Sequence, residues 1–365
     1  MSQSRFDLRP LAEPLSAEQR AQRMSHLGFG RVFTEHMVTI EHTEPDGWGR
    51  GSLIPYQTIE LDPAASVLHY GQAIFEGFKA YRQADGGVAT FRPEANARRF
   101  AASARRLAMP ELPPDLFVEA ADVLIRQEQA WVPPAVGESL YLRPLMIATE
   151  AALGVRPAKR YLFLLFGSPS GAYFPKGVRP VSVWISTDYT RATPGGTGEA
   201  KCSGNYAASL AAQQEANRQG CEQVVWLDAL ERRYVEEMGG MNLFFVYSRP
   251  GKAKLVTPRL TGTLLPGITR DSLLRLAQDL GYEVEEGTLS VDQWRADVES
   301  GAMTEVFACG TAAVITPVGF VKSKAGNWQI GDGETGPVAA ELRSALLDIQ
   351  HGRAADAYGW MHRVC

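Results

Sequence analysis

The stretch Gly195–Tyr206 reads GGTGEAKCSGNY, four glycines (Gly195, Gly196, Gly198, Gly204) around a single lysine, Lys201. A lysine amine becomes a nucleophile when desolvation keeps part of it neutral, and the chemistry on offer is a Schiff base with a carbonyl. Glycines let a ligand approach the main chain closely. On composition alone, a flexible surface loop is the competing reading. A dinucleotide fingerprint is excluded, because Lys201 stands where the third glycine of G-x-G-x-x-G belongs. A P-loop is excluded as well, since no Gly-Lys-Ser/Thr triplet occurs here.

Other reactive side chains are few. The four cysteines, Cys202, Cys221, Cys309 and Cys365, are too scattered for a disulfide framework or a zinc ribbon. Cys202, beside the lysine, reads as a buried, inert thiol rather than a second nucleophile. The six histidines include no H-x-x-x-H pair, which argues against a metal site. With so few candidate bases, an organic cofactor is expected to carry the chemistry. Two segments could hold an anion. Gly267-Ile268-Thr269 opens a helix, where free N–H groups converge, and Gly310-Thr311-Ala312-Ala313 offers a hydroxyl among small residues. An ordinary helix cap and an ordinary tight turn remain open for these two.

The elements that must position these residues follow from periodicity. At 365 residues the chain is long enough for two domains, and its net charge of −4 gives nucleic acid no basic surface to bind. The first residues lack the apolar core of a secretory leader, and no run reaches the ~20 apolar residues of a membrane span, which points to a cytoplasmic protein with no membrane partner. Arg31–His42 alternates as a strand, and IFEGFKAYR and VATFR flank Gln83–Gly87 as a hairpin. Pro93–Met109 and Asp115–Val132 carry helical spacing, and Ser139–Thr149 and Arg160–Ser168 are strands. Residues 1–168 therefore form a smaller α+β domain, with Pro169–Pro180 as the linker. The larger domain, 181–365, alternates strand, lysine loop and helix (Asn205–Gln219). A Glu222–Asp228/Arg233–Met238 hairpin, a strand at Asn242–Ser248 and a helix capped by Thr269 come next. A helix with a Ser290/Gln293 capping box, a strand–turn–strand about Gly310-Thr311 and a last helix at Pro337–Gln350 complete it.

In this order the segments FGRVFTEHM, HYGQAIFEGFKAY, FRPEANARRF, SLYLRP, GAYF, GGTGEAKCSGNYAASL, EEMGGMNLF, LPGITRDSLL and ACGTAAVITPV resemble the fold-type-IV, pyridoxal-phosphate-dependent aminotransferases, and among them the branched-chain amino-acid aminotransferases. They run from about Phe29 to Pro317. The resemblance implies a two-domain α+β (mixed α/β) fold with the active site at the domain interface. It also implies a homodimer that moves the amino group between leucine, isoleucine or valine and 2-oxoglutarate.

By position in these motifs, Lys201 is the catalytic residue and carries pyridoxal 5′-phosphate as a Schiff base. Glu237 lies under the pyridine nitrogen, and its neighbour Glu236, pointing to the other face of a strand, is expected to be solvated. Arg99 grips the phosphate with its planar fork, aided by the amides of Ile268 and Thr269 and the hydroxyl of Thr311. Tyr206 meets the phenolic oxygen of the cofactor. The substrate side is an aromatic box of Phe29, Phe75, Tyr141 and Tyr173. Tyr70, Leu153 and Val155 arrive from the neighbouring subunit. The amides of Ala312 and Ala313 receive the α-carboxylate, and Arg143 is the candidate for the side-chain carboxylate of glutamate.

Two positions depart from the family pattern. Gly240 stands where some members have threonine, so one hydroxyl contact is expected to be missing. Ala313 and Thr316 stand where some members carry a Cys-x-x-Cys redox pair. A D-amino-acid transaminase or an aminodeoxychorismate lyase of the same fold type is the alternative activity. A non-catalytic phosphate-ligand-binding protein is the remote one.

Overall fold

In the computed structural model, which describes residues 5–171 and 178–365, the strands gather into two sheets. The chain divides into two units. One holds the N-terminal half with Ala200–Ser203 and Leu347–Cys365, and the other holds Gly204–Leu346 with the stretch leading to Glu199. The α+β class expected from the sequence is the class observed.

In the first unit the sheet is almost wholly antiparallel. The expected hairpin forms: Phe78–Arg82 pairs with Val88–Phe91, with Ala80 opposite Thr90. Its turn passes through Gly86 at φ 85, a left-handed angle that favours glycine. Ser139–Ala148 and Arg160–Ser170 pair from Ser139↔Ser170 to Ala148↔Tyr161, so the second strand runs two residues into the stretch read as a linker. The helices Pro93–Arg106 and Pro114–Glu128 each open on proline, whose missing N–H costs nothing in a first turn. They bury Phe100 and Phe117, whose rings lie 5.4 Å apart, and Phe163 of the sheet is 5.7 Å from Phe100. This apolar block fixes the helix Pro93–Arg106, and with it the neighbouring polar seam of Asn96, Arg99 and Ser103.

The second unit mixes antiparallel and parallel pairing. Val181–Ile185 and Gln223–Leu227 run parallel, and the chain between them holds the lysine loop and the helix Ser203–Arg218. The strands Val235–Met238 and Met241–Tyr247 form a hairpin, Glu237 opposite Asn242 and Met238 opposite Met241. Only Gly239 and Gly240 are left for the turn, and Gly239 takes φ 58. Met241–Tyr247 pairs on its other side with Met303–Gly310, which puts Asn242 opposite Cys309.

Two helix starts differ from expectation. The helix Ile268–Asp279 is preceded by Gly267 at its N-cap, so Thr269 is a buried residue of the first turn and not the cap. In the helix Val291–Glu299, Ser290 Oγ accepts from the Gln293 N–H at 3.1 Å, but the Gln293 side chain turns to Asp297, leaving half a capping box. Among the described residues no helix is long and apolar enough to cross a membrane.

Candidate active site

Lys201 is placed by its main chain. Its N–H donates to Ser103 Oγ at 2.9 Å, and its carbonyl accepts from the Phe75 N–H at 3.0 Å. Cys202 bridges to Ile74 and is buried within the first unit's apolar core, as expected of an inert thiol. The lysine side chain is half-buried, with Nζ 4.9 Å from the centre of the Phe75 ring.

Arg143 reaches the same ring, its Cζ also 4.9 Å from the Phe75 centre and 5.4 Å from that of Tyr141. Its Nε is buried without a hydrogen-bond partner. Phe29 closes on Tyr141 edge-to-face at 4.9 Å. Tyr141 in turn lies over Gly77, where a Cβ would come within 1.8 Å of the phenol oxygen. Phe29, Phe75, Tyr141, Arg143 and Lys201 are thus brought together, an amine and a guanidinium among aromatic faces. Tyr173, expected with them, lies outside the described residues.

Arg99 projects from the polar seam of its helix, one turn before Ser103, whose hydroxyl donates back to the Arg99 carbonyl at 3.0 Å. Its guanidinium meets Glu76 in a two-pronged pair, Nε to Oε1 at 2.7 Å and Nη2 to Oε2 at 2.8 Å. Tyr70, Leu153 and Val155 lie on the surface, at 41%, 65% and 85% exposure. The Tyr70 hydroxyl donates to the Leu153 carbonyl, so these two share one patch.

In the second unit Glu237 is buried and well held. Oε1 accepts from the Leu265 N–H at 2.7 Å and from Asn242 Nδ2 at 3.3 Å, and Arg191 Nε stands 2.9 Å from Oε2. The contact with Arg191 is an ion pair without hydrogen-bond alignment, since that Nε lacks a hydrogen-bond partner. Arg191 also donates to the Thr263 carbonyl and, at 3.1 Å, to the carbonyl of Gly198 in the lysine loop. Glu237, Arg191, Tyr206, Gly240 and Leu265 line one cavity of about 170 Å³.

Glu236 corrects the sequence reading. It is 7% exposed rather than solvated, because its strand is paired on both sides and covered on both faces. Thr263 Oγ1 donates to one of its oxygens, and burial pushes its carboxyl above the usual range. The first turn of the helix Ile268–Asp279 brings Ile268 and Thr269 with no side-chain cap at Gly267, so its amides suit an outside anion.

Thr311, Ala312 and Ala313 form the link between the strands Met303–Gly310 and Val314–Ser323. The Ile315 N–H closes on the Ala313 carbonyl at 2.9 Å around Val314, which is held at φ 65. A β-branched residue there is strained, and such strain collects where a loop must hold one shape.

Sequence reasoning missed Glu76, Ser103, Arg191 and Asn242, the groups behind the expected ones. Ser103 alone left a local signal, lying four positions from Arg99 on one helix face. Among the described residues no cluster of three or more His, Cys, Asp or Glu could hold a metal.

Comparison with known proteins gives this arrangement a context. The family model of amino-transferase class IV matches residues 73–319. A relative from Streptomyces coelicolor named "Probable branched-chain-amino-acid aminotransferase" is 62% identical over 365 residues, covering 100% of both chains. Among solved structures, a T.th. branched-chain amino acid aminotransferase with pyridoxamine 5′-phosphate is similar at TM-score 0.73 and 32% identity, covering 93% of this chain and 99% of that one. The same enzyme complexed with N-(5′-phosphopyridoxyl)-L-glutamate gives 0.71 and 32%, covering 90% and 98%.

Proposed function

We propose, for a chain that belongs to the amino-transferase class IV family, the activity of a branched-chain amino-acid aminotransferase. It moves the amino group between leucine, isoleucine or valine and 2-oxoglutarate in two half-reactions, with pyridoxal 5′-phosphate as cofactor. The observation that carries this reading is the placement of Lys201 and Arg143 on one phenylalanine ring, each 4.9 Å from its centre. A carbonyl-reactive amine beside a carboxylate-binding cation, in apolar surroundings, suits an amino acid and its oxo acid.

The residues present fit the cofactor. Tyr206 and Glu237 line one cavity, where a phenol and a carboxylate suit the oxygen and the nitrogen of a hydroxypyridine. The side-chain-free cap at Gly267 leaves first-turn amides for a phosphate. When bound, pyridoxal phosphate supplies an aldehyde that takes up amines and a ring that withdraws electrons from the carbon losing its proton.

The protein's own groups do the rest. Lys201 Nζ would anchor the cofactor and, as a free amine, would carry the proton to and from the substrate α-carbon. Glu237 holds a positive charge on the ring nitrogen, and Arg99, Ile268, Thr269 and Thr311 hold the phosphate. The amides of Ala312 and Ala313 receive the α-carboxylate. Phe29, Phe75, Tyr141 and Tyr173 form the walls that accept branched side chains, and Arg143 accepts the second carboxylate of glutamate. Tyr70, Leu153 and Val155 are contributed across a homodimer interface, a role supported by their exposure.

A panel of L- and D-amino donors with 2-oxoglutarate tests the activity. Transfer from L-leucine, L-isoleucine and L-valine is the expected result. Activity confined to D-amino acids would overturn it.

A further inference from the structure

We infer that Asn242 is a positioning residue that sets the ring-nitrogen carboxylate and the phosphate-binding helix start in common register. The inference rests on the roles proposed above for Glu237 and for Ile268 and Thr269. Asn242 is buried, directly across the hairpin from Glu237 and, on its other side, across from Cys309, two residues before Thr311.

Its amide has one orientation. Nδ2 donates to the Leu265 carbonyl at 3.1 Å and to Glu237 Oε1 at 3.3 Å. Both partners are acceptors, so a flipped amide would set oxygen against oxygen at both. Oδ1 therefore faces the other way, onto Gly267, where a Cβ would come within 2.0 Å of it. The Leu265 N–H closes the figure by donating to Glu237 Oε1 at 2.7 Å.

One side chain thus touches the carboxylate of Glu237, the carbonyl that leads into Gly267, and the N-cap itself. Moving Asn242 moves both ends of the cofactor cradle. Leu265 alone could hold Glu237 but could not set how closely Gly267 packs. Only a residue with a donor on one side and a compact acceptor on the other does both from a single strand position.

The test uses the full chain, stripped of cofactor and reloaded, with dissociation constants for pyridoxal and for pyridoxal phosphate measured by equilibrium dialysis. Pyridoxal reads the ring-nitrogen end alone. The further gain with the phosphate ester reads the helix start. Asn242→Ala is expected to weaken pyridoxal at least fivefold and pyridoxal phosphate by a further fivefold or more. Asn242→Asp keeps the shape and removes the donor. It is expected to do the same, and it serves where the alanine variant fails to fold.

Equal losses for both ligands would mean that Asn242 serves Glu237 alone, and that overturns the inference. So would a loss confined to pyridoxal phosphate, or no loss. Gly267→Ala should weaken the phosphate ester in the wild type and do so less in Asn242→Ala, because the clash partner is gone. Equal effects in the two backgrounds count against the packing contact. Failure of the wild-type chain to bind either ligand would instead sink the functional reading itself.

Discussion

Glu76 and Arg99 meet fork to fork, at 2.7 and 2.8 Å, with the carboxylate fully buried and the guanidinium 9% exposed. An arginine held this way has its guanidinium plane fixed, so the phosphate contact proposed for it needs no prior ordering of the side chain. Removing the carboxylate leaves a buried cation without its counter-charge. We expect Glu76→Ala to cost about 3–5 kcal/mol of stability. Its retention of cofactor should fall together with that of Arg99→Lys, which keeps the charge and loses the fork. Thermal unfolding and cofactor dialysis would show it, and unchanged values for both variants would refute the pairing's importance.

Arg143 offers a direct test of dual substrate recognition. Arg143→Gln should lower kcat/KM for glutamate and 2-oxoglutarate by a factor on the order of 10–100, the loss of one charge-assisted contact of about 1.5–3 kcal/mol. Leucine should change only a few-fold, since its side chain offers no carboxylate. Steady-state kinetics with both donors decides it, and equal losses would assign Arg143 to something common to all substrates.

The glycines near the site are not equivalent. At Gly240 a Cβ would meet Tyr206 no closer than 3.5 Å, an ordinary contact, and the positive φ of the turn belongs to Gly239. Gly240→Ala should therefore fold with a stability change within about 0.5–1 kcal/mol. At Gly198 a Cβ would lie 2.3 Å from the Thr263 carbonyl oxygen, and backbone cannot swing aside. Gly198→Ala should cost about 1–3 kcal/mol, as overpacking does. Denaturant unfolding of the two variants gives the ranking, and the reverse order would contradict it.

Exposed Leu153 and Val155 have a proposed partner in a second copy of the chain. Val155 is 85% exposed, so replacing it should leave a single chain's fold untouched. Val155→Asp should raise the dimer dissociation constant by tenfold or more in sedimentation equilibrium and reduce activity in parallel at low protein concentration. A variant that dimerises like the parent would remove these residues from the interface.

His351 predicts a pH effect. It is 3% exposed, Nε2 accepts from the Gly137 N–H at 3.3 Å and Nδ1 faces the Arg82 carbonyl at 3.4 Å. Burial holds its pKa below the ordinary imidazole value. The unfolded chain then takes up a proton before the folded one does. The stability it contributes is complete above about pH 6.5 and drains away as the pH falls through that value. Melting temperature should drop more between about pH 7.5 and 5.5 for the wild type than for His351→Gln, and equal drops would exclude the residue.

Periodicity made the elements legible: the helix at Pro93, the hairpin through Gly86 and the lysine loop between strand and helix all stand where spacing put them. What periodicity cannot carry is partnership. Arg99 and Glu76 are 23 positions apart and on different elements, and nothing in either segment marks them as a pair. Arg191 and Glu237 are joined only by folding. Glu236 read as a surface carboxylate because alternation normally gives a strand one wet face. Its strand is central and covered on both faces, so both of its carboxylates went inside. The same limit applied to Thr269, since Gly267 carries no side chain to announce itself as a cap.

The lysine loop has a fixed root and a long reach. Ser103 and Phe75 pin the main chain of Lys201 on either side of its Cα, while four methylenes carry the amine beyond them. The amine therefore stays on a short leash. It remains at a local concentration that no dissolved amine could reach, which suits the proton-carrying role proposed for it. The glycines that first drew attention to the loop give the chain its close approach; the two hydrogen bonds at Lys201 keep the reagent from drifting away.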